Sequence, residues 1–318
     1  VLEFPMAAPK NPERFGILAI EPGVRAGHMF TALYASFVNI GLATTVAVMT
    51  PYVLSANLGV PLDRQGSVLG ILNLVNEIAL LFVFGLAGAL ADRVGRRAVY
   101  AIGFLATAAG YLLFPLATSI WDLSLYKVVY AIGIGATTGM LSTILADYVK
   151  ARDRGKIVAL SGILNGLGVV MLALAIGKLP AVFVDQGMGE KAAGQAALGI
   201  AAVLCVISAA VMWLGLKPGV ATRSVERVKL STQLGVGVAA AKSNPRIVLA
   251  YASAFVARGD LAIVGAYAIA WGKKAALENG ASLADALDQG RIPFIVAQSA
   301  ALLWPVVVAL MIDKAHRL

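Results

Sequence analysis

Eight long apolar stretches limit what this chain can fold into. They run over residues 29–54, 68–91, 98–117, 123–145, 157–176, 196–216, 247–271 and 292–312. Each approaches or exceeds the roughly 20 apolar residues that a helix needs to cross a hydrocarbon core about 30 Å thick. In lipid every backbone N–H and C=O must be satisfied within the protein, so such stretches become helices. Composition agrees: 59% of residues are hydrophobic and 14% charged, against about 25% charged in soluble domains. The expectation is an all-α, polytopic membrane protein.

The formal charge of +9 raises the question of a nucleic-acid partner, and its distribution answers it. With the N-terminus inside, 18 of the 26 lysines and arginines fall in the tail, the inner loops and the C-terminal end. Six fall in outer loops (Arg64, Lys178, Lys191, Lys273, Lys274 and Arg291), and Lys127 and Arg258 lie within spans. That is the positive-inside pattern, so the charge marks orientation and the partner is a lipid bilayer rather than nucleic acid. The expected location is the plasma (inner) membrane, with a cytoplasmic N-terminus. The single cysteine, Cys205, excludes a disulfide framework, and His28 and His316 have no carboxylate or thiol cluster beside them. No metal, cofactor or catalytic nucleophile is expected, which argues against an intramembrane enzyme. The first 29 residues lack a signal-peptide pattern.

One short segment concentrates charge and glycine. Gly88-Ala-Leu-Ala-Asp92-Arg93-Val-Gly95-Arg96-Arg97 lies between the second and third apolar stretches, where the chain must turn at a membrane surface. Glycine allows close backbone approach and positive φ at such a turn. This segment resembles the signature loop of the major facilitator superfamily, Gly-x-Leu-Ala-Asp-Arg-x-Gly-Arg-Arg, between that family's second and third helices. The fourth stretch is similar to the family's fourth helix, in which an arginine precedes a Gly-x-Gly element. Lys127 stands in the arginine's place, which puts any bidentate role in doubt. Arg154-Gly155, in the inner loop after it, again resembles the family. The glycine-proline pattern of antiporter-type members is absent from residues 157–176.

Polar residues within the spans lie on defined faces. Asn73, Asn76 and Glu77 fall at i, i+3 and i+4, one face of a helix, with Glu77 about 16 Å before Gly88 and so near mid-bilayer. An ionisable group at that depth must face protein or water. It reads equally as a coupling carboxylate or as a protonated carboxyl bonded to Asn73. Ser36, Asn39 and Ala43 share a face in the first span, where Pro51 marks a bend or an end. Ala131, Gly135 and Gly139 form a stripe that admits a neighbouring helix. Ser282-Leu-Ala-Asp285 fits a capping box and predicts a short outer helix, whereas the proline-rich tail reads as irregular.

The chain also echoes itself. Asp313-Lys314-Ala-His316-Arg317 shadows Asp92-Arg93-Val-Gly95-Arg96, and the same offset sets Gln298 against Glu77 and Asp260 against Asn39. Repeated halves are how this transporter class is built. The resulting division is a cytoplasmic tail (1–29), a first six-helix bundle (30–216), a cytoplasmic linker (217–246) and helices seven and eight of a second bundle (247–318). On this division the sequence is expected to be part of a longer transporter. The resemblance implies secondary transport of a small solute by alternating access, and the in-span carboxyls of Glu77 and Asp260 point to proton coupling. Asn39, Asn73, Asn76, Glu77, Lys127, Arg258, Asp260 and Gln298 would line the cavity. Arg258 reads equally as a buried packing charge or as a ligand for an anion. The competing expectations are a sensor on a transporter fold or an inactive fragment.

Overall fold

The computed structural model describes residues 14–218 and 239–300 other than 298. Within that range the side chains of residues 85, 89, 92, 173, 174, 250, 251 and 253–266 are not described. Six of the described helices are long and apolar enough to cross a membrane. They are α1 (Ala26–Ala56), α2 (Leu62–Val94), α3 (Arg96–Leu113), α4 (Ile120–Tyr148), α5 (Arg154–Asp185) and α6 (Glu190–Gly215). The expected seventh span becomes α7 (Pro245–Glu278). The expected short outer helix is α8 (Leu283–Gly290), and Ser282 Oγ accepts the Asp285 N–H at 3.2 Å. Most of the eighth apolar stretch lies outside the described residues.

Hydrophobicity alone does not choose helix neighbours in lipid, because lipid tails are as apolar as leucine. Small residues and buried hydrogen bonds choose them. α1 packs most extensively on α5, α3 on α4 and α6, and α2 on α4. At the α1–α5 crossing, a Cβ on Gly168 would collide with the Phe37 carbonyl oxygen, and one on Gly41 would lie 2.6 Å from the Gly168 oxygen. Ser161 Oγ donates to Ser36 Oγ at 3.0 Å just beside it. Tyr111 of α3 and Tyr130 of α4 both donate to carbonyls of α1, those of Leu42 and Ala43, and their rings meet edge-on at 5.7 Å. On α2, Leu74, Ile78, Leu81, Phe82 and Leu86 are at least half exposed while Leu69, Leu72 and Leu80 are buried. Several helices run beyond the expected spans; α5 continues to Asp185 and so contains Pro180, past the stretch that lacked proline.

The two ends of the bundle differ. At the end that carries the N-terminal tail, residues 14–20 are ordered where irregular chain was expected. Arg14–Phe15 and Leu18–Ala19 form an antiparallel hairpin, and Ile20 bridges Val149 in the loop after α4. The Ala19 N–H donates to Asp153 Oδ2 at 2.9 Å, the Lys150 N–H to the Ala19 oxygen at 2.9 Å, and the Glu21 N–H to the Tyr148 oxygen at 3.0 Å. The hairpin thus satisfies the backbone of a loop that α4 and α5 leave open. At the opposite end, α7 docks against α1 and α2, and Tyr267 Oη donates to the Gly66 oxygen at 3.3 Å. Arg291, just after α8, is buried beside Gly177 of α5.

Candidate functional site

The signature segment is a turn of one residue. α2 ends at Val94, α3 starts at Arg96, and Gly95 between them has φ +92°, which L side chains rarely adopt. Gly88 does not belong to the turn. It lies within α2, and a Cβ built on it would meet nothing within 4 Å. Beginning a helix on two arginines sets like charge against the positive end of its dipole. Two contacts offset this: Arg96 forms an ion pair with Asp147 in the last turn of α4, and the Arg97 guanidinium sits 4.7 Å above the Trp213 ring of α6. The segment therefore ties α3 to α4 and α6. Arg93 is exposed at the end of α2, and the Asp92 side chain lies outside the described residues.

Where the middle of α2 meets the first third of α4, four of the expected cavity residues come together. Lys127 is 4% exposed, and its Nζ donates to Asn73 Oδ1 at 3.5 Å. Asn76 Nδ2 donates to Glu77 Oε1 at 3.4 Å, and the Glu77 carboxylate acts electrostatically on Lys127. The helix period explains the grouping: positions 73, 76 and 77 lie on one face of α2 and turn toward α4. Both hydrogen bonds are long, so the amides and the ammonium retain capacity for another partner. An amine, a carboxylate and two amides in one cluster are equipped to bind a polar solute and to exchange protons with it.

Asn39 stands apart from that cluster. It is 1% exposed on α1, and neither its Oδ1 nor its Nδ2 finds a hydrogen-bond partner among the described residues. A buried amide without partners costs about 1–3 kcal/mol for each lost polar group, so Asn39 has hydrogen-bonding capacity that no described residue uses. Asn165 Oδ1 of α5 is in the same condition. Arg258 and Asp260 lie in α7 by backbone, and their side chains are not described. Gln298, Asp313, Lys314 and Arg317 fall outside the described residues. Among the described residues no cluster of His, Cys, Asp or Glu has the makeup of a metal site.

Sequence reasoning missed one polar cluster. Lys273 reads in sequence as an ordinary flanking cation beside Lys274, yet it is fully buried between α7, α1 and α2. Its Nζ donates to the Pro51 oxygen at 2.5 Å, Gln65 Oε1 at 2.7 Å and Ser55 Oγ at 3.0 Å. The only available signal was Gln65, an uncharged polar residue at the start of an apolar run.

Comparison with known proteins fits this architecture. The family model described as Major Facilitator Superfamily matches residues 32–316, nearly the whole chain. The chain belongs to that superfamily. Among curated relatives, it is 28% identical over 239 residues to magnetosome protein MamH of Paramagnetospirillum magneticum, an alignment covering 72% of this chain and 52% of MamH. It is 24% identical over 239 residues to magnetosome protein MamZ of Magnetospirillum gryphiswaldense, covering 70% of this chain and 34% of MamZ. The chain thus spans about half the length of the first relative and a third of the second. Among solved structures, the nucleoside transporter NupG superposes with a TM-score of 0.65 over 90% of this chain and 67% of NupG, at 17% identity, a likeness of fold. The all-α major-facilitator architecture expected from the sequence is borne out, and the chain is a multi-pass membrane protein.

Proposed function

We propose that this chain carries the first bundle and the start of the second bundle of a secondary transporter that moves a small solute by alternating access. The observation that carries the reading is the Asn73, Asn76, Glu77 and Lys127 cluster, an ionisable pair held between two amides inside the span region. Charged groups at that depth are costly and belong on solute or proton pathways. Glu77 of the first half and Asp260 of the second are the coupling carboxyls, with Lys127 beside Glu77. Asn39 supplies an amide to the solute from α1. The segment from Gly88 to Arg97 acts as the conformational gate, and Asp313, Lys314 and Arg317 repeat it. The face carrying the tail hairpin and the loops after α2 and α4 lies in the cytoplasm.

Glu77→Gln tests the mechanism. In proteoliposomes it should abolish solute uptake driven by a proton gradient while leaving solute exchange intact. Uptake that still follows an imposed acid gradient would remove Glu77 from the coupling step. Counterflow with a panel of small carboxylates, sugars and inorganic phosphate separates a transporter from a sensor on the same fold, which binds without exchange. The first location to test is the plasma (inner) membrane. The likeness to two magnetosome proteins favours a second reading, residence in a magnetosome membrane, and density fractionation of a tagged chain separates the two.

A further inference from the structure

Lys273 is unlike every other charge at the outer end. The exposed groups there include the acids Asp63, Asp185, Glu190, Glu278 and Asp285, which lie in water. Its neighbour Lys274 is exposed and pairs with Glu278. Lys273 is buried, and no carboxylate among the described residues forms an ion pair with it. Its three N–H donors are all used, and all three acceptors are neutral oxygens of α1 and α2. Four charged residues are buried in the described chain: Lys127, Asp153, Lys273 and Arg291. The only acid among them, Asp153, belongs to the inner loop, so away from that loop the buried charge is cationic. Arg291 is paired with Asp288 of its own segment, whereas the partners of Lys273 all sit across a seam.

That arrangement has a consequence if the seam parts. Moving α7 away from α1 and α2 removes all three acceptors together and leaves an ammonium facing a water-filled mouth. A carboxylate or phosphate oxygen makes a charge-assisted bond to it, roughly twice as strong as one to a neutral oxygen. We propose that Lys273 is a covered oxyanion-binding site at the outer mouth, capped by Pro51, Ser55 and Gln65 while the mouth is shut and taken over by an anionic solute when it opens. The inference rests on the alternating-access reading and adds the substrate class, a small carboxylate or phosphate.

Gly70 supplies the reporter position. It lies on α2 below Gln65, and a Cβ there would sit 3.2 Å from Tyr267 Oη of α7, inside the same seam. Gly70→Cys, in a Cys205→Ser background, is modified from outside with anionic sulfonatoethyl or cationic trimethylammonioethyl methanethiosulfonate. A unit charge within about 7 Å in water biases reagents of opposite sign by about two- to threefold each, hence about fivefold in their ratio. The expected result is preference for the anionic reagent, lost in Lys273→Gln, kept in Lys273→Arg and weakened by high salt. Lys273→Gln should also speed both reagents, because the seam has lost its tie. Inorganic phosphate or acetate should slow modification in the Lys273 protein and not in Lys273→Gln; which of the two protects identifies the oxyanion. A ratio unchanged in Lys273→Gln, loss of the preference in Lys273→Arg, absence of protection by both anions, or no modification in any variant would each overturn the proposal. Modification needs no net flux, so a charge bias without solute exchange would keep the anion site and defeat the transport reading.

Discussion

Replacing Gly168 by alanine tests whether contact between backbones holds α1 to α5. The added methyl would run into the Phe37 carbonyl oxygen, a backbone atom that no rotamer change can move aside. Even on the opposite side of the crossing, at Gly41, the built Cβ lies 2.6 Å from the Gly168 oxygen, where a tolerable carbon–oxygen contact needs about 3.3 Å. The helices must therefore separate along the crossing. Overpacking of this kind costs about 1–3 kcal/mol. Separation also strains the Ser161–Ser36 bond beside the crossing, worth about 1 kcal/mol, while alanine returns about 1 kcal/mol of helix propensity. The last two nearly cancel, leaving a loss of about 2 kcal/mol, roughly a thirtyfold shift in the unfolding equilibrium. The assay is equilibrium unfolding in mixed detergent micelles, followed by tryptophan fluorescence. Gly139→Ala is the control, since its Cβ would lie 3.6 Å from Phe84 Cδ1, an ordinary contact. If Gly168→Ala unfolds within about 0.5 kcal/mol of Gly139→Ala, the reasoning fails, because independent surface-like sites differ by no more than that.

Gly88→Ala should leave this conformation intact or stabilise it by up to about 1 kcal/mol in the same assay, because the Cβ meets open space inside a helix. If the gate role is right, solute exchange falls at the same time; a destabilised fold would mean that a neighbour already stands against Gly88. Asp153→Ala removes the acceptor that holds Ala19 and frees Lys156 from its 2.7 Å ion pair, so the tail hairpin should loosen. Trypsin should then cut after Arg14 and Arg25 faster than in the unsubstituted protein, and equal cleavage rates would show that the backbone bonds to Tyr148 and Lys150 hold the hairpin alone.

Local chemistry was legible in the residues themselves. Length and hydropathy marked eight apolar stretches, and the first six are helices able to span a membrane, because a backbone in lipid has no other way to satisfy itself. The glycine of the charged segment marked the turn, and Gly95 alone makes it. Ser282 capped the short helix as its spacing required. The period of 3.6 put Asn73, Asn76 and Glu77 on one face, and that face meets Lys127. These features depend on residues within a few positions of one another.

Neighbour choice was decided only in three dimensions. A helix that is apolar on nearly every side does not say which side meets protein, since lipid and leucine are equivalent surroundings. Gly168 acquires meaning from Phe37, 131 positions earlier, and Tyr111 and Tyr130 from two carbonyls of α1. The tail looked irregular because its hairpin is held by Ile20, which bridges Val149 far along the chain. Lys273 looked like a flanking charge until α7 laid it against Pro51, Ser55 and Gln65. In each case a group at least 69 residues distant sets the role, and local sequence carries no record of that distance.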